Sequence, residues 1–454
     1  MHKPLPFFLT IFCLCFLCCT VTGTELSVLQ QTTAASPVQA ETTSLSHSSS
    51  SIQAKTISDS SLLLTFAGDL MAHTVNFNMK EYDLIYKDVE KILHDDDLSF
   101  INVETPVCDT LPLSSYPSFN VHTDYLRAAV TAGFDVLSFA NNHTNDHRMV
   151  GIDGTLAAAQ IVQKERNAAG TLPALLAYSG LKEQVGKPFK MTQISYKGWN
   201  ILFCAVTEIL NSYDSSKERL YYSPPTEKGR AALLTAIQKA REQYPCDLFV
   251  LSLHLNEPEY IRTVSKKKKA WFRDLGESGV DIVWAHHPHV MQPWETITVK
   301  RPLSAASSGQ NHTPQSDTIL QNINGILTAA VTGERIPCEN NPTKPPLKPM
   351  EEHPVFCMYS MGNFISGQRW HVNYEDPSYY REYTGDAVML QVQCTRKNSG
   401  GIAFTVSPIM ITQYNEPSYP VVKQFTPTWI QTLDEKEQRY FNRRFTLMKD
   451  YLPF

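Results

Sequence analysis

Apolar residues in this chain fall into short continuous runs, and the runs share a type of ending. The run at 62–67 stops at Gly68-Asp69, and the run at 98–101 stops at Asn102-Val103-Glu104. Residues 134–140 lead into Asn141-Asn142-His143, and 247–253 into His254. Residues 281–285 end in His286-His287-Pro288-His289, and 355–360 in Met361-Gly362-Asn363. Runs of this length with no polar alternation predict strands buried on both faces. Helical patterns separate them, at 124–132, 154–164, 227–243 and 266–276. Strands alternating with helices predict an α/β architecture, and open α/β sheets place their sites at the carboxyl ends of the strands. The polar endings are therefore expected to meet at one edge.

The fifth ending is the richest in candidate ligands. In an extended backbone, side chains two apart share a face, so His287 and His289 are expected to project together. Pro288 has no N–H and predicts that strand pairing stops there. Further along, 388–392 and 404–406 predict closing antiparallel strands, and 428–451 reads as one helix. The Ser-, Asn- and Pro-rich interval 301–352 breaks the alternation and reads as a surface insertion. The aromatic tract 370–383 reads as packing, with lining of a groove near the site as the alternative.

Composition removes some function classes. The 454 residues carry a formal net charge of −5, without the basic excess that nucleic-acid binding requires. The one basic run, 266–269, reads as the solvated first turn of a helix. A short basic start and an apolar stretch at 5–19 predict a signal peptide over 1–23, or a retained or lipidated anchor, so the bulk is expected to be exported to the cell envelope. Residues 24–60 are Ser/Thr-rich and too poor in apolar area to fold, which makes them a disordered tether. The globular part is then expected over 61–420, with a helical tail at 421–454. Of ten cysteines four lie in the leader, and the remaining six permit disulfides, although Cys204 and Cys357 sit in apolar runs that suit buried thiols.

Oxygen and imidazole donors without cysteine favour one or two divalent ions of Mn, Fe, Zn or Mg. The candidate ligands are Asp69, Glu104, Asn142, His254, His287 and His289. Two cations about 3.5–4 Å apart can clamp the attacking and leaving oxygens of a hydrolysis. His143 is then placed to act as general acid, with Asp146 three residues on to orient it. Asn102, Asn363 and Arg369 are candidate substrate contacts, with Arg148 as a second anion anchor.

Taken together, GDLMAH at 68–73, NVE at 102–104, FDVLSFANNHTND at 134–146, HHPHVMQPWE at 286–295 and YSMGNFISGQR at 359–369 resemble the CapA-type capsule synthesis proteins, over about residues 61–395. That family is associated with poly-γ-glutamate and is similar to the calcineurin-like metallophosphoesterases. The resemblance implies a four-layer α-β-β-α sandwich, with two central sheets flanked by helices. It matches Asp69 to the first metal-ligand aspartate, Asn142-His143 to the asparagine ligand and catalytic histidine, and His287 with His289 to the final H-x-H. His286 occupies a position the family leaves variable, which makes it a neighbour of the ligands. Glu104 replaces the bridging aspartate of the phosphoesterases, as in the capsule family, and Met71 stands where they have a histidine ligand. Leu255-Asn256 departs from the Trp-Gly that the capsule family carries. Two functions follow as expectations. One is a metal-dependent hydrolase of a phosphoester or polymer bond, working with membrane proteins of capsule synthesis or export. The alternative is a non-catalytic subunit that binds or guides an anionic polymer.

Overall fold

Eight strands lie parallel in two sets of four, and the carboxyl ends of six of them carry the polar endings read from the sequence. The computed structural model describes residues 60–170, 176–187, 189–302, 350–398 and 400–453. The leader and all but the last residue of the tether lie outside the described residues, as does 303–349 of the insertion. The described residues all belong to one unit, Thr56–Phe454.

The first sheet contains β1 (Ser61–Leu70), β2 (Leu98–Val103), β3 (Phe134–Ser138) and β4 (Ala177–Ser179), all parallel. The second contains β5 (Thr192–Tyr196), β6 (Trp199–Thr207), β7 (Leu248–His254), β8 (Ile282–His286), β9 (Met291–Pro302) and β10 (Met350–Met361). Within it β6, β7, β8 and β10 are parallel, and β5 and β9 close the edges antiparallel. β11 (Asn363–Ile365) returns to the first sheet beside β1, and β12 (Asp386–Arg396), β13 (Ile402–Glu416) and β14 (Tyr419–Gln424) complete it as antiparallel strands. The orders are β14-β13-β12-β1-β2-β3-β4 and β5-β6-β7-β8-β10-β9.

Three apolar cores separate four layers. Alternate residues of β1 and β2, among them Leu64, Phe66 and Phe100, face Phe203, Ile282 and Trp284 of the other sheet. The remaining faces of the first sheet pack on α3 (Thr123–Thr131) and α4 (Arg148–Ala169) through Ile101, Leu137, Leu126 and Ala159. Those of the second pack on α5 (Glu227–Gln243) and α6 (Lys266–Glu277) through Leu251, Val283, Ile237 and Phe272. Because both faces of each strand are covered, the runs are continuously apolar rather than alternating. This is the α-β-β-α sandwich expected from the resemblance. Phe66 and Phe100 stack at 4.5 Å, and the Trp284 indole N–H donates to the Ala67 carbonyl at 2.9 Å, so the two sheets are pinned together just below the site. An aromatic pair of this kind adds about 0.5–1.5 kcal/mol beyond the area it buries.

Some expectations need correction. The insertion is narrower than 301–352, because Arg301 pairs with Glu351 and Pro302 with Met350 in the β9–β10 ladder. The tail cannot begin at 421, which falls inside β14. Nor is it one helix: Pro427–Ile430 and Glu435–Lys449 are separate, and Asp434 caps the second by accepting from the Glu437 N–H. Ile430, Tyr440, Phe441 and Met448 join the core between the sheets, so these helices are part of the sandwich. The basic run is not wholly solvated, for Lys268 is buried and its Nζ donates to Gln292 Oε1 at 2.7 Å, the Tyr359 carbonyl at 2.8 Å and Glu257. The five described cysteines, Cys108, Cys204, Cys246, Cys357 and Cys394, are free thiols. Among the described residues no helix is long and apolar enough to cross a membrane.

Candidate metal centre

Gly68 sets the approach of the chain to the site. A Cβ there would lie 1.8 Å from the Gly362 carbonyl oxygen, so only glycine lets β1 run close enough for the Asp69 N–H to donate to that oxygen at 3.0 Å. Asp69 lies near the end of β1, Asn102 in β2 and Glu104 one residue past it, with His254 at the end of β7. All are buried.

The structure brings five of the six predicted ligands into two sets. Glu104, His254 and His287 each present an atom within 4.8 Å of the others, and so do Asp69, Glu104 and His289. Glu104 belongs to both. Asn102 ties the carboxylates together, its Nδ2 donating to Asp69 Oδ1 at 2.8 Å and to Glu104 Oε2 at 3.2 Å. Asn142 donates its amide to Asn211 Oδ1 at 3.2 Å, which leaves its own Oδ1 buried without a hydrogen-bond partner. Glu104 Oε1 and Asn102 Oδ1 are orphaned in the same way. Buried acceptors without donors are costly. Three of them beside imidazoles fit a site built for a cation.

Charge in this set is balanced by protons. Burial lifts the Glu104 carboxyl well above its usual range, and neighbouring Asp69 adds to the lift. Burial pushes Asp69 the same way, but contacts with His286 and His289 outweigh it and hold that carboxyl low. Desolvation lowers His287 to about 3, helped by the charge on His289, and lowers His254 well below its ordinary value. Burial also opposes the charged form of His289, but Asp69 outweighs it and the net shift is upward. Neutral His254 and His287 are the protonation states metal binding needs, and a cation would displace the protons that remain.

His287 and His289 do converge, with ring centroids 6.0 Å apart, but not through strand alternation. β8 ends at His286, and both histidines have left-handed backbones, φ 105° at His287 and 57° at His289. Such conformations cost a non-glycine residue about 1–3 kcal/mol each and collect at functional sites. His286, still in the strand, puts its Nδ1 3.1 Å from Asp69 Oδ1.

His143 and Asp146 form the second part. Asp146 Oδ2 lies 2.7 Å from His143 Nδ1 and also accepts the Phe119 N–H at 2.9 Å. Asn211 Nδ2 donates to Asp146 Oδ1 at 3.1 Å. Asn211 Nδ2 also lies 2.9 Å from His143 Nδ1, but the nearer, charged Asp146 carboxylate at 2.7 Å favours the Nδ1–H tautomer, which leaves Nε2 as the working nitrogen.

Two predicted substrate contacts are used inside the protein instead. Arg369 is 1% exposed; its guanidinium donates to Asp386 Oδ1 at 2.6 Å and to Thr412 Oγ1 at 2.7 Å. Asn363 Oδ1 accepts from His289 Nδ1 at 3.0 Å, and its Nδ2 donates to Gln368 Oε1 at 2.9 Å and the Thr384 carbonyl at 3.0 Å, so it orients His289. Arg148 pairs with Asp214 at 2.9 Å. Met71 is buried. Sequence reasoning missed Glu208 and Asn211. Glu208 follows the apolar run of β6 and carries the same signature as the other endings; its carboxylate takes a bidentate grip from Arg230 at 2.9 and 3.0 Å. Asn211 sits in an irregular loop that has no such signal.

Comparison with known proteins agrees with this picture. A sequence profile of the bacterial capsule synthesis protein family PGA_cap matches residues 63–368. A capsule biosynthesis protein CapA of Bacillus anthracis is 26% identical over 244 residues, covering 52% of this chain and 56% of its own length. A PGA biosynthesis protein CapA of Bacillus subtilis (strain 168) is 24% identical over 247 residues, covering 53% of this chain and 61% of its own. The chain thus matches well under two thirds of the length of either relative.

Proposed function

We propose, because the chain belongs to the bacterial capsule synthesis protein family PGA_cap, that it is a metal-dependent hydrolase of capsule biosynthesis. Its substrate would be a phosphoester or a bond of an anionic polymer such as poly-γ-glutamate. The relatives are named for capsule and PGA biosynthesis, which supports the polymer. The leader read at 1–23 supports an exported, envelope-facing protein that works with membrane components of synthesis or export.

The observation that carries the reading is a buried carboxylate common to two ligand sets, together with a histidine whose Nδ1 is paired with a carboxylate. Asp69, Glu104 and His289 would hold one ion, and Glu104, His254 and His287 a second, with Asn142 Oδ1 as a further donor. Bound there, Mn, Fe, Zn or Mg supplies Lewis acidity and a nucleophile near neutral pH. His143 gives a proton from Nε2 to the leaving group, and Asp146 stabilises the imidazolium at Nδ1. Asn211 and the Phe119 N–H keep Asp146 turned toward the ring. Asn363 and His286 hold His289 and Asp69 in place.

The test is metal analysis of the full chain with turnover of bis-p-nitrophenyl phosphate and of poly-γ-glutamate, beside His143→Ala and His287→Ala. His143→Ala is expected to keep its metal and lose about 10²- to 10⁴-fold in rate. His287→Ala is expected to lose both metal and activity. If wild type held no stoichiometric metal and all three proteins behaved alike, the hydrolase reading would fail. Metal without turnover on either substrate would favour the polymer-guiding subunit.

A further inference from the structure

The aromatic tract 370–383 is not absorbed by the core throughout its length. Tyr379 and Tyr380 are 41% and 48% exposed, with rings 4.6 Å apart. Tyr380 lies 5.8 Å from the ring of Tyr260, and the Arg381 guanidinium carbon is 5.6 Å from that same ring. Tyr260 is fastened to the candidate metal centre, because its N–H donates at 2.8 Å to the carbonyl of Pro288, the residue between His287 and His289. Its φ of 63° is a left-handed conformation that an aromatic residue rarely adopts. A strained backbone thus holds Tyr260 beside the histidine loop, in the kind of place where strain marks function.

Arg381 differs from three arginines packed nearby, of which Arg262 lies half-buried over the Tyr383 and Tyr451 rings at 3.9 and 4.0 Å. Arg369 and Arg444 are buried on Asp386. Arg381 is exposed and its side chain engages the Tyr380 phenol, and among the described residues no carboxylate comes within ion-pair distance of its guanidinium. Its charge reaches His73, which also feels His143 and His289. The His73 ring lies 5.0 Å from Phe119, and Phe119 lies 4.6 Å from His143. A cation without a carboxylate partner therefore stands beside Tyr260, the residue whose backbone is fastened to the histidine loop.

We propose that Arg381, flanked by Tyr260 and Tyr380, is the anion subsite of this centre. It would take the place that sequence reasoning gave to Arg369. The guanidinium grips a carboxylate or phosphate of the substrate beside the bond to be cleaved. A planar fork of N–H donors suits either oxyanion bidentately, and the phenols add walls with hydrogen-bonding tips. The proposal rests on the hydrolase reading for its purpose, but its test is binding and not turnover.

The experiment uses the full chain, with a fluorescently labelled γ-linked glutamate hexamer as the carboxylate probe and inorganic phosphate as the competing probe. Wild type, Arg381→Ala, Arg381→Lys and Tyr260→Ala are compared, with metal content measured in each. Arg381→Ala is expected to weaken hexamer binding about 10-fold and to flatten its salt dependence, with Arg381→Lys between the two and metal content unchanged. Loss of phosphate competition alone would keep the subsite and assign it to phosphate. Equal affinity of wild type and Arg381→Ala for both probes would overturn the proposal, and so would a wild type that binds neither. A wild type that turns substrate over while Arg381→Ala binds normally would sink the subsite and leave the hydrolase reading standing.

Discussion

Glu104 offers the sharpest separation between a metal site and a merely polar core, because it should be a liability without metal and indispensable with it. It is the residue common to both ligand sets, fully buried, with Oε1 lacking a partner. Glutamine keeps the shape, removes the charge and stands in for the protonated acid. Burial raises the folded carboxyl well above its ordinary 4.5, so the native state resists ionisation that the unfolded chain accepts freely. For such a group, stability is lost as pH rises from near the unfolded value toward the folded one. Metal-free Glu104→Gln should therefore match wild type at about pH 5 and exceed it at pH 8, by on the order of 1–3 kcal/mol. Metal reverses the order. At a Mn concentration 100 times the dissociation constant wild type gains about 2.7 kcal/mol, whereas the variant, lacking the shared carboxylate, should gain less than about 1 kcal/mol. Thermal melts of both proteins with and without Mn, at the two pH values, measure all four terms. If Mn stabilised the variant as much as wild type, or if the metal-free variant were the weaker at pH 8, the reasoning about Glu104 would be wrong.

Two further predictions concern groups away from the chemistry. Asp386 is fully buried and accepts from Arg369 Nη1 at 2.6 Å and Arg444 Nε at 2.7 Å, so Asp386→Ala strands two guanidinium groups and should cost about 3–5 kcal/mol, seen as a lower urea midpoint. Burial pushes the Asp96 carboxyl up to about 7, against a hydrogen bond from Ser99 Oγ at 2.6 Å that lowers it. Wild type should then lose more stability than Asp96→Asn between about pH 4 and pH 7, by on the order of 2 kcal/mol. Parallel pH profiles for the two proteins would refute the assignment.

The sandwich was legible because burial on both faces writes itself into sequence without any need for distant information. Runs such as 248–251 are apolar at every position since one face meets the other sheet and the opposite face meets α5 and α6. The helix at 227–243 was legible to the residue, its Thr226 cap accepting from the Gly229 N–H. What pattern alone did not carry was pairing across long sequence gaps. β9 was absent from the expectation because its burial alternates, as an edge strand's should, and its partner β10 lies beyond residues 303–349. The break at 431–434 was hidden because the apolar period continues through it.

The candidate site was legible in which residues gather there and not in its geometry, and the histidine loop shows why. Strand alternation would have brought His287 and His289 together for a reason that costs nothing, and would have told little about function. The backbone instead leaves the strand at His286 and turns left-handed at both ligands, which asparagine or glycine would do more cheaply. Stability alone would not keep two imidazoles there. That conformation lets each histidine complete one of the two candidate ligand sets that share Glu104, and the same loop also anchors Tyr260 through the Pro288 carbonyl. A single strained turn therefore sets the two candidate ligand histidines and Tyr260, so a substitution relaxing it should move both together. Arg369 was misassigned for the complementary reason: an arginine's sequence neighbours say nothing about which buried carboxylate will claim it, and here Asp386 did.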